Sequence, residues 1–365
     1  MELTMRRTIQ RIRYPPFELG HMEPSEVPVS EVEVEVGENV ATNFTIGSED
    51  SWFVEWVDSN EVDSKKFQLK CEIGFNPPTF LTRTRLGWFI NPDPLHNISR
   101  RLIMPTVILL IVSLFIHAIE PGLVDLGLIG GVTAGSVSIG PLEYPRLLFY
   151  TFPLFLLPLL FRTIANFRDM SRQSTINAKP FKEPIFSIVE SRVSPEVIII
   201  DSDNEITPKR SRIQVGVASP ERSTVLSSLG RNEFGQPSPG MSTILPEKRV
   251  SSGDEVGSGV GEATPMQSAT KKPVILEPLR IMSRSEWVSD ISVGTSFKLN
   301  MPKESWPGTI YSSLIAIHWE IVIEFEQKDG RRISWVSPVI MPQSDITTEI
   351  PVAPVVSGRA ELSNF

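Results

Sequence analysis

Apolar residues fall into two kinds of pattern along this chain. From Leu102 to Ile119 the run LIMPTVILLIVSLFIHAI carries no Asp, Glu, Lys or Arg over eighteen residues. At 1.5 Å per residue a helix of that length reaches roughly 27 Å, close to the hydrocarbon thickness of a bilayer. A second uncharged run, LLFYTFPLFLLPLLF, covers Leu147 to Phe161 and contains Pro153 and Pro158. Neither run has the polar face of a helix on the surface of a water-soluble protein. They predict spans at about 102–119 and 147–163, joined as a transmembrane hairpin over 100–165.

The flanking regions alternate at period two, which is strand spacing. Val32, Val34 and Val36 interleave with Glu31, Glu33 and Glu35; Gly37-Glu38-Asn39 then turns into Val40, Thr42, Phe44 and Ile46, predicting a half-buried hairpin. Phe67, Leu69, Cys71, Ile73 and Phe75 form a third alternating run. Pro184 to Ile200 predicts one or two strands, and the run VIIID reads as a strand buried on both faces. Later strands are expected at 274–282, 287–301 and 313–326, the last with Ile315, Ile317, Trp319, Ile321, Ile323 and Phe325 on one face. Asp329-Gly330 marks a tight turn into Ile333, Trp335 and Ser337, because such turns need positive φ.

Between 203 and 272 aromatics almost vanish and Ser, Pro, Gly, Glu, Lys and Arg take over. Such a composition buries too little apolar surface to offset ordering entropy and predicts a disordered linker, with Ile213–Val217 and Thr224–Leu229 as short apolar exceptions. The expected organisation is a basic N-terminal segment (1–26), a first β part (27–95), the hairpin, strands at 183–202, the linker, a second β part (273–345) and a C-terminal tail (346–365).

Charge sets the expected orientation. Arg100 and Arg101 precede the first span and Arg162, Arg168 and Arg172 follow the second, whereas Glu120, Asp125 and Glu143 lie between the spans. Basic flanks stay in the cytoplasm, so a multi-pass cell-membrane protein with both termini cytoplasmic is expected. The Gly-rich stretch 121–141 is then an outside loop or shallow re-entrant turn rather than a third span, because Asp125 and its small residues insert poorly. No cleavable signal is expected at the start, since the basic residues there lack an apolar run behind them. The single cysteine, Cys71, excludes an intrachain disulfide and fits a reducing interior. The acceptor triplets at Asn43 and Asn97 would be silent there. A formal net charge of −8 argues against a nucleic-acid partner.

The two β parts together resemble an arrestin-like β-sandwich interrupted by the hairpin. The resemblance lies in the Gly37-Glu38-Asn39-Val40 turn, in Ser296-Phe297-Lys298-Leu299-Asn300-Met301-Pro302, in the bend Pro307-Gly308-Thr309-Ile310-Tyr311-Ser312-Ser313-Leu314, and in Ile317-His318-Trp319-Glu320-Ile321. The pattern departs where Val36 replaces a common proline, Thr42 a usual second glycine, and Gly308 and Ile310 the usual Tyr or Ser. It implies an all-β cytoplasmic domain with an inserted two-helix hairpin, acting as an adaptor. A plain immunoglobulin-like sandwich or two separate small sheets would give much the same alternation.

No catalytic, cofactor or metal constellation emerges. His21, His96, His117 and His318 lack paired spacing, and Gly135-Ser-Val-Ser-Ile-Gly140 is not a nucleophile elbow. Asp201-Ser-Asp203-Asn-Glu205 opens like a calcium loop, but Ile206 occupies the position of the sharp-turn glycine. The acidic comb Glu31, Glu33, Glu35 and Glu38 reads as a solvated strand face that repels edge pairing, or as a dock for a basic partner peptide. His117, Glu120 and Asp125 are the polar residues near a span end. The expected function is a non-enzymatic membrane scaffold for an unidentified protein partner, needing no cofactor, with the bilayer as its other partner. The competing class is a membrane-embedded enzyme or transport accessory using the polar residues of 117–143. Homo-oligomers through the Gly-rich 122–140 segment are a third reading.

Overall fold

The computed structural model describes residues 5–15, 23–37, 43–58, 68–70, 76–78, 81–82, 85–90, 93–128, 135–219, 248–250, 279–312, 314–343 and 346–355. The chain divides into a β-rich unit, residues 1–91 and 180–365, and a helical unit, residues 92–179. Before the helices come β1 (Met5–Arg13), β2 (Ser30–Gly37), β3 (Phe44–Gly47), β4 (Phe53–Asp58), β5 (Gln68–Lys70) and β6 (Gly87–Ile90). The helical unit holds α1 (Leu95–Asp125), β7 (Ser136–Ile139), β8 (Leu142–Pro145) and α2 (Arg146–Ala178). Then follow β9 (Ile185–Val189), β10 (Glu196–Asp201), β11 (Ile206–Ala218), β12 (Lys248–Val250), β13 (Arg280–Arg284), β14 (Val288–Ser289) and β15 (Ser296–Lys298). The last are β16 (Ile310–Tyr311), β17 (Ala316–Gln327), β18 (Arg332–Val339) and β19 (Thr348–Ile350). The architecture is mixed: several β-sheets and two long apolar helices.

A six-stranded sheet runs β19-β3-β4-β1-β2-β5. Its inner strand β1 corrects the reading of 1–26 as a basic segment alone. Gln10 and Ile12 stand beside Val32 and Ser30 on one side and Trp56 and Val54 on the other, all buried. Arg7, Arg11 and Arg13 are therefore the outer side of a strand. The β2–β3 hairpin is also corrected, because β1 and β4 lie between those strands; alternation fixes the buried face but not the neighbour. Glu38 to Thr42 fall outside the described residues, as do Phe67 and Cys71–Phe75 of the third run. Thr348–Ile350, expected in a tail, pairs in parallel with Phe44–Ile46.

The larger sheet has the order β12-β6-β18-β17-β11-β13, with β14 added on β11 and β16 on β17. At its centre β11 and β17 pair from Ile206 opposite Gln327 to Ala218 opposite Ala316. The linker reading is corrected over 206–218, which form this strand, and over 248–250, which pair with β6; 220–247 and 251–278 lie outside the described residues. The polar look of β11 misled because Arg210 pairs with Glu324, Arg212 lies over the Trp287 ring and the Gln214 amide donates to Glu320, all within the sheet and its immediate cover. In β17 the predicted face Ile317, Trp319, Ile321, Ile323 and Phe325 is buried, and so are Ala316, His318, Glu320, Val322 and Glu324 on the other. Gly330, at φ +80°, closes the β17–β18 hairpin where the Asp-Gly pair predicts it.

A three-stranded sheet, β15-β10-β9, follows α2 in the chain. The two-sided burial expected of VIIID fails: Val197 and Ile199 are buried, Ile198 and Ile200 exposed. Strands from both sides of the helical insertion share the larger sheet, since β6 pairs with β18. In the helical unit α1 and α2 run antiparallel, with the Ser99 hydroxyl donating to the Pro158 carbonyl at 2.8 Å. Both exceed their predicted spans, so Arg100, Arg101, Glu120 and Asp125 are helical in α1, and Arg162, Arg168 and Arg172 in α2. The end of α1 and the β7–β8 ribbon occupy much of the stretch expected as a loop.

Candidate functional site

The acidic comb is met by the chain's own arginines. Register sets Arg7 opposite Glu35 and Arg11 opposite Glu31, with charged atoms 3.5 Å and 3.7 Å apart. Arg11 also reaches Glu55 at 2.9 Å and Glu49. Burial works against the Arg11 charge, but hydrogen bonds to Glu49 and Glu55 outweigh it and raise its pKa; the same bond to Arg11 lowers that of Glu49. Glu33, opposite Ile9, is buried rather than presented to solvent. Of the four carboxylates expected to dock a partner, two are thus paired internally and one is covered; Glu38 is outside the described residues.

A buried polar network missed in the sequence lies on the second face of β11 and β17. The Arg85 guanidinium donates through Nε to Glu320 Oε2 at 3.1 Å and through a second nitrogen to Oε1, while the Gln214 amide donates to Oε1 as well. His318 Nε2 lies 3.6 Å from the same carboxylate, and its Nδ1 lies 2.7 Å from the Tyr311 hydroxyl. Burial alone would raise the Glu320 pKa, but Arg85 and then His318 outweigh it and bring it down to about 2. Tyr311 is pushed up by burial and by Glu320. Nearby, Arg210 is bidentate to Glu324 at 2.8 Å, and Arg210 and Arg212 each lie 4.3 Å from the Trp287 ring centroid. Burial first, then the charges of Arg284 and Arg210, bring Arg212 down to about 9. No sequence spacing links Arg85, Gln214 and Glu320; only sheet topology joins them.

In the helical unit His117 Nδ1 lies 3.2 Å from Glu120 Oε2, the pairing their spacing allows, and Asp125 is the last residue of α1. The pair and Asp125 form no cluster with the ribbon among the described contacts. At the other end of the hairpin Asp169, buried on α2, takes His96 Nε2 at 3.0 Å and Arg172 at 3.3 Å, and Arg168 lies 3.7 Å from Asp93. Of the five arginines counted for orientation, Arg168 therefore also ties α2 to the residues that lead into α1, whereas Arg172 pairs within α2.

Among the described residues no group of three His, Cys, Asp or Glu side chains is placed to hold a metal. Asp201, from the calcium-like stretch, is paired with Lys182, whose hydrogen bond lowers its pKa. Gly308 permits a close approach at the Pro-rich bend, where a Cβ would lie 2.5 Å from the Pro342 carbonyl oxygen. A shallow cleft of about 220 Å³ opens beside it, lined by Arg192, Met301, Trp306, Trp319 and Met341. Both α1 and α2 are long and apolar enough to cross a membrane, and little of either apolar stretch is covered by protein. No protein-family model matches this chain, and no curated protein compared with it matches either.

Proposed function

We propose that this protein is a membrane-anchored, non-catalytic adaptor whose helical hairpin crosses the bilayer twice and whose β-rich unit, an arrestin-like sandwich, recruits partner proteins on the cytoplasmic side. One observation carries the anchoring: the hairpin is packed the reverse of a water-soluble pair. Ser99, Ser113, Thr151 and Ala165 are buried, while Met104 and Phe115 are 65% and 64% exposed. In water each large side chain left out would forfeit about 1.5–3 kcal/mol. In lipid that cost vanishes, and small residues let helices approach closely. Ser113, Thr106 and Thr151 return their hydroxyls to carbonyls one turn back, which suits a site without water.

The hairpin places Arg100 and Arg101 at the same end as Arg162, Arg168 and Arg172, which supports a cytoplasmic β-rich unit. The arrestin-like reading rests on the residues of β15, the bend at 307–314 and β17. Recruitment by strand addition fits β9, an edge strand of sequence IFSIV without the charges or proline that usually guard an edge, and with Ile185 and Val189 exposed.

Alkaline extraction of membranes holding the full chain tests the anchor; release into the supernatant overturns it. In a Cys71→Ser background, Ser136→Cys should react with an impermeant maleimide outside intact cells and Ser251→Cys only after permeabilisation. The opposite pattern rejects the topology. For recruitment, affinity capture from solubilised membranes should lose partners in the Ile185→Lys, Val189→Lys variant; an unchanged set removes β9 as the docking edge.

A further inference from the structure

The two-stranded ribbon between the helices has one apolar and one polar face. Val137 pairs with Tyr144 and Ile139 with Leu142, so these four side chains share a face; Ser138 pairs with Glu143 and Ser136 with Pro145 on the other. The apolar side is left uncovered: Ile139, Leu142 and Tyr144 are 52%, 57% and 40% exposed. The two-residue turn Gly140-Pro141, with Gly140 at φ +59°, closes the ribbon tightly and adds no polar cap. A lone two-stranded hairpin is at best marginally stable in water and needs a surface against its apolar face.

Where the ribbon sits names that surface. β8 ends at Pro145 and α2 starts at Arg146 with no residue between, and the Arg146 amide donates to the Gly135 carbonyl at 2.8 Å, which pins the start of the ribbon to the start of the helix. Tyr144, Phe149 and Tyr150 form a chain of aromatic contacts across this junction, with centroids 6.4 Å and 5.3 Å apart. Aromatic residues with a polar tip mark the lipid–water boundary. We infer that the β7–β8 ribbon is an interfacial anchor lying flat on the extracytoplasmic leaflet, with Val137, Ile139, Leu142 and Tyr144 at the headgroup–acyl boundary and Ser136, Ser138 and Glu143 in water. The inference rests on the two-span reading of α1 and α2. It adds a second membrane contact, made by a strand pair, that fixes the depth and tilt of the outer end of the hairpin.

The test uses the full chain with Cys71→Ser, in phosphatidylcholine–phosphatidylglycerol vesicles, carrying one environment-sensitive fluorophore at Phe115→Cys, Ser138→Cys or Ile139→Cys. The Phe115 label should be quenched by a nitroxide at mid-acyl chain. The Ile139 label should be quenched about twofold or more by a nitroxide near the headgroup and shielded from iodide, whereas the Ser138 label should be open to iodide, as expected of an interfacial amphipathic element. An Ile139 label as open to iodide as the Ser138 label overturns the inference while leaving the spans in place. So does an Ile139 label shielded from iodide and from both lipid nitroxides, which would mean that protein, such as a second copy, covers the ribbon. A Phe115 label untouched by the mid-chain nitroxide overturns the two-span reading and this inference with it.

Discussion

The indole of Trp88 meets the ring of Phe181 edge-on, centroids 5.8 Å apart, although α1, the ribbon and α2 all lie between them in sequence. Trp88 also contacts Trp335 at 5.0 Å and Phe325 at 5.3 Å. One aromatic cluster thus clamps the residue that leads into the helical insertion and the residue that follows it. Trp88→Ala should cost about 3–5 kcal/mol of β-unit stability, as truncation of a buried aromatic does. Pulse proteolysis of the detergent-solubilised chain would read this, with Trp88→Phe retaining most of the wild-type resistance and membrane association unchanged in both.

Arg85 and Glu320 form a pair of side chains almost wholly removed from water. Removing one partner strands a buried charge, so Arg85→Met alone should destabilise by about 3–5 kcal/mol. Arg85→Met with Glu320→Met should recover much of the loss, because two apolar groups of similar volume need no counter-charge. Urea denaturation of the single and double variants measures both, and a double variant no better than the single would reject the assigned pairing.

The same carboxylate makes stability depend on acid. Its pKa is depressed from 4.5 to about 2 in the folded chain, so its contribution is complete above about 4.5 and disappears as pH falls from there toward 2. Glu320→Gln lacks this contribution at every pH, and its stability should fall less steeply over that window. Circular dichroism during acid titration gives the two slopes; equal slopes would place the acid sensitivity elsewhere.

On the six-stranded sheet, Arg11 serves Glu31, Glu49 and Glu55 together, whereas Arg7 is exposed and meets a half-buried Glu35 at 3.5 Å. Arg7→Ala should change stability by less than about 1 kcal/mol, as for exposed ion pairs. Arg11→Ala should cost more and should lose most of its excess cost in high salt. Thermal melts at low and high ionic strength distinguish the two.

Inside the hairpin, Ser113 is buried and Leu114 faces outward. Ser113→Leu should separate the helices and speed proteolysis within 93–178, while Leu114→Ala, on the outward side, should leave the digestion pattern of membrane-embedded protein unchanged.

The sequence shows much of this fold wherever one residue type decides the outcome. Uncharged runs mark α1 and α2, alternating Val32, Val34 and Val36 mark the buried side of β2, and Asp329-Gly330 marks the β17–β18 turn. It hides features that depend on what lies alongside. Arg7, Arg11 and Arg13 look like a solvated tail until Glu31, Glu35 and Glu55 stand beside β1. Lys209, Arg210 and Arg212 look like a linker until Glu324, Glu326 and Trp287 receive them. The comb of glutamates was visible as a pattern, but its pairing with β1 was not, because register is a property of two strands.

The parallel match of β19 to β3 bears on how the molecule is made. Phe44–Ile46 leave the ribosome early, yet their outer neighbour, Thr348–Ile350, emerges only after both helices and the whole of the larger sheet. Contacts so distant along the chain close slowly. Until residue 350 has been synthesised, the β3 border of the N-terminal sheet lacks its outer neighbour, so this sheet is completed only after the chain of the larger one has been made.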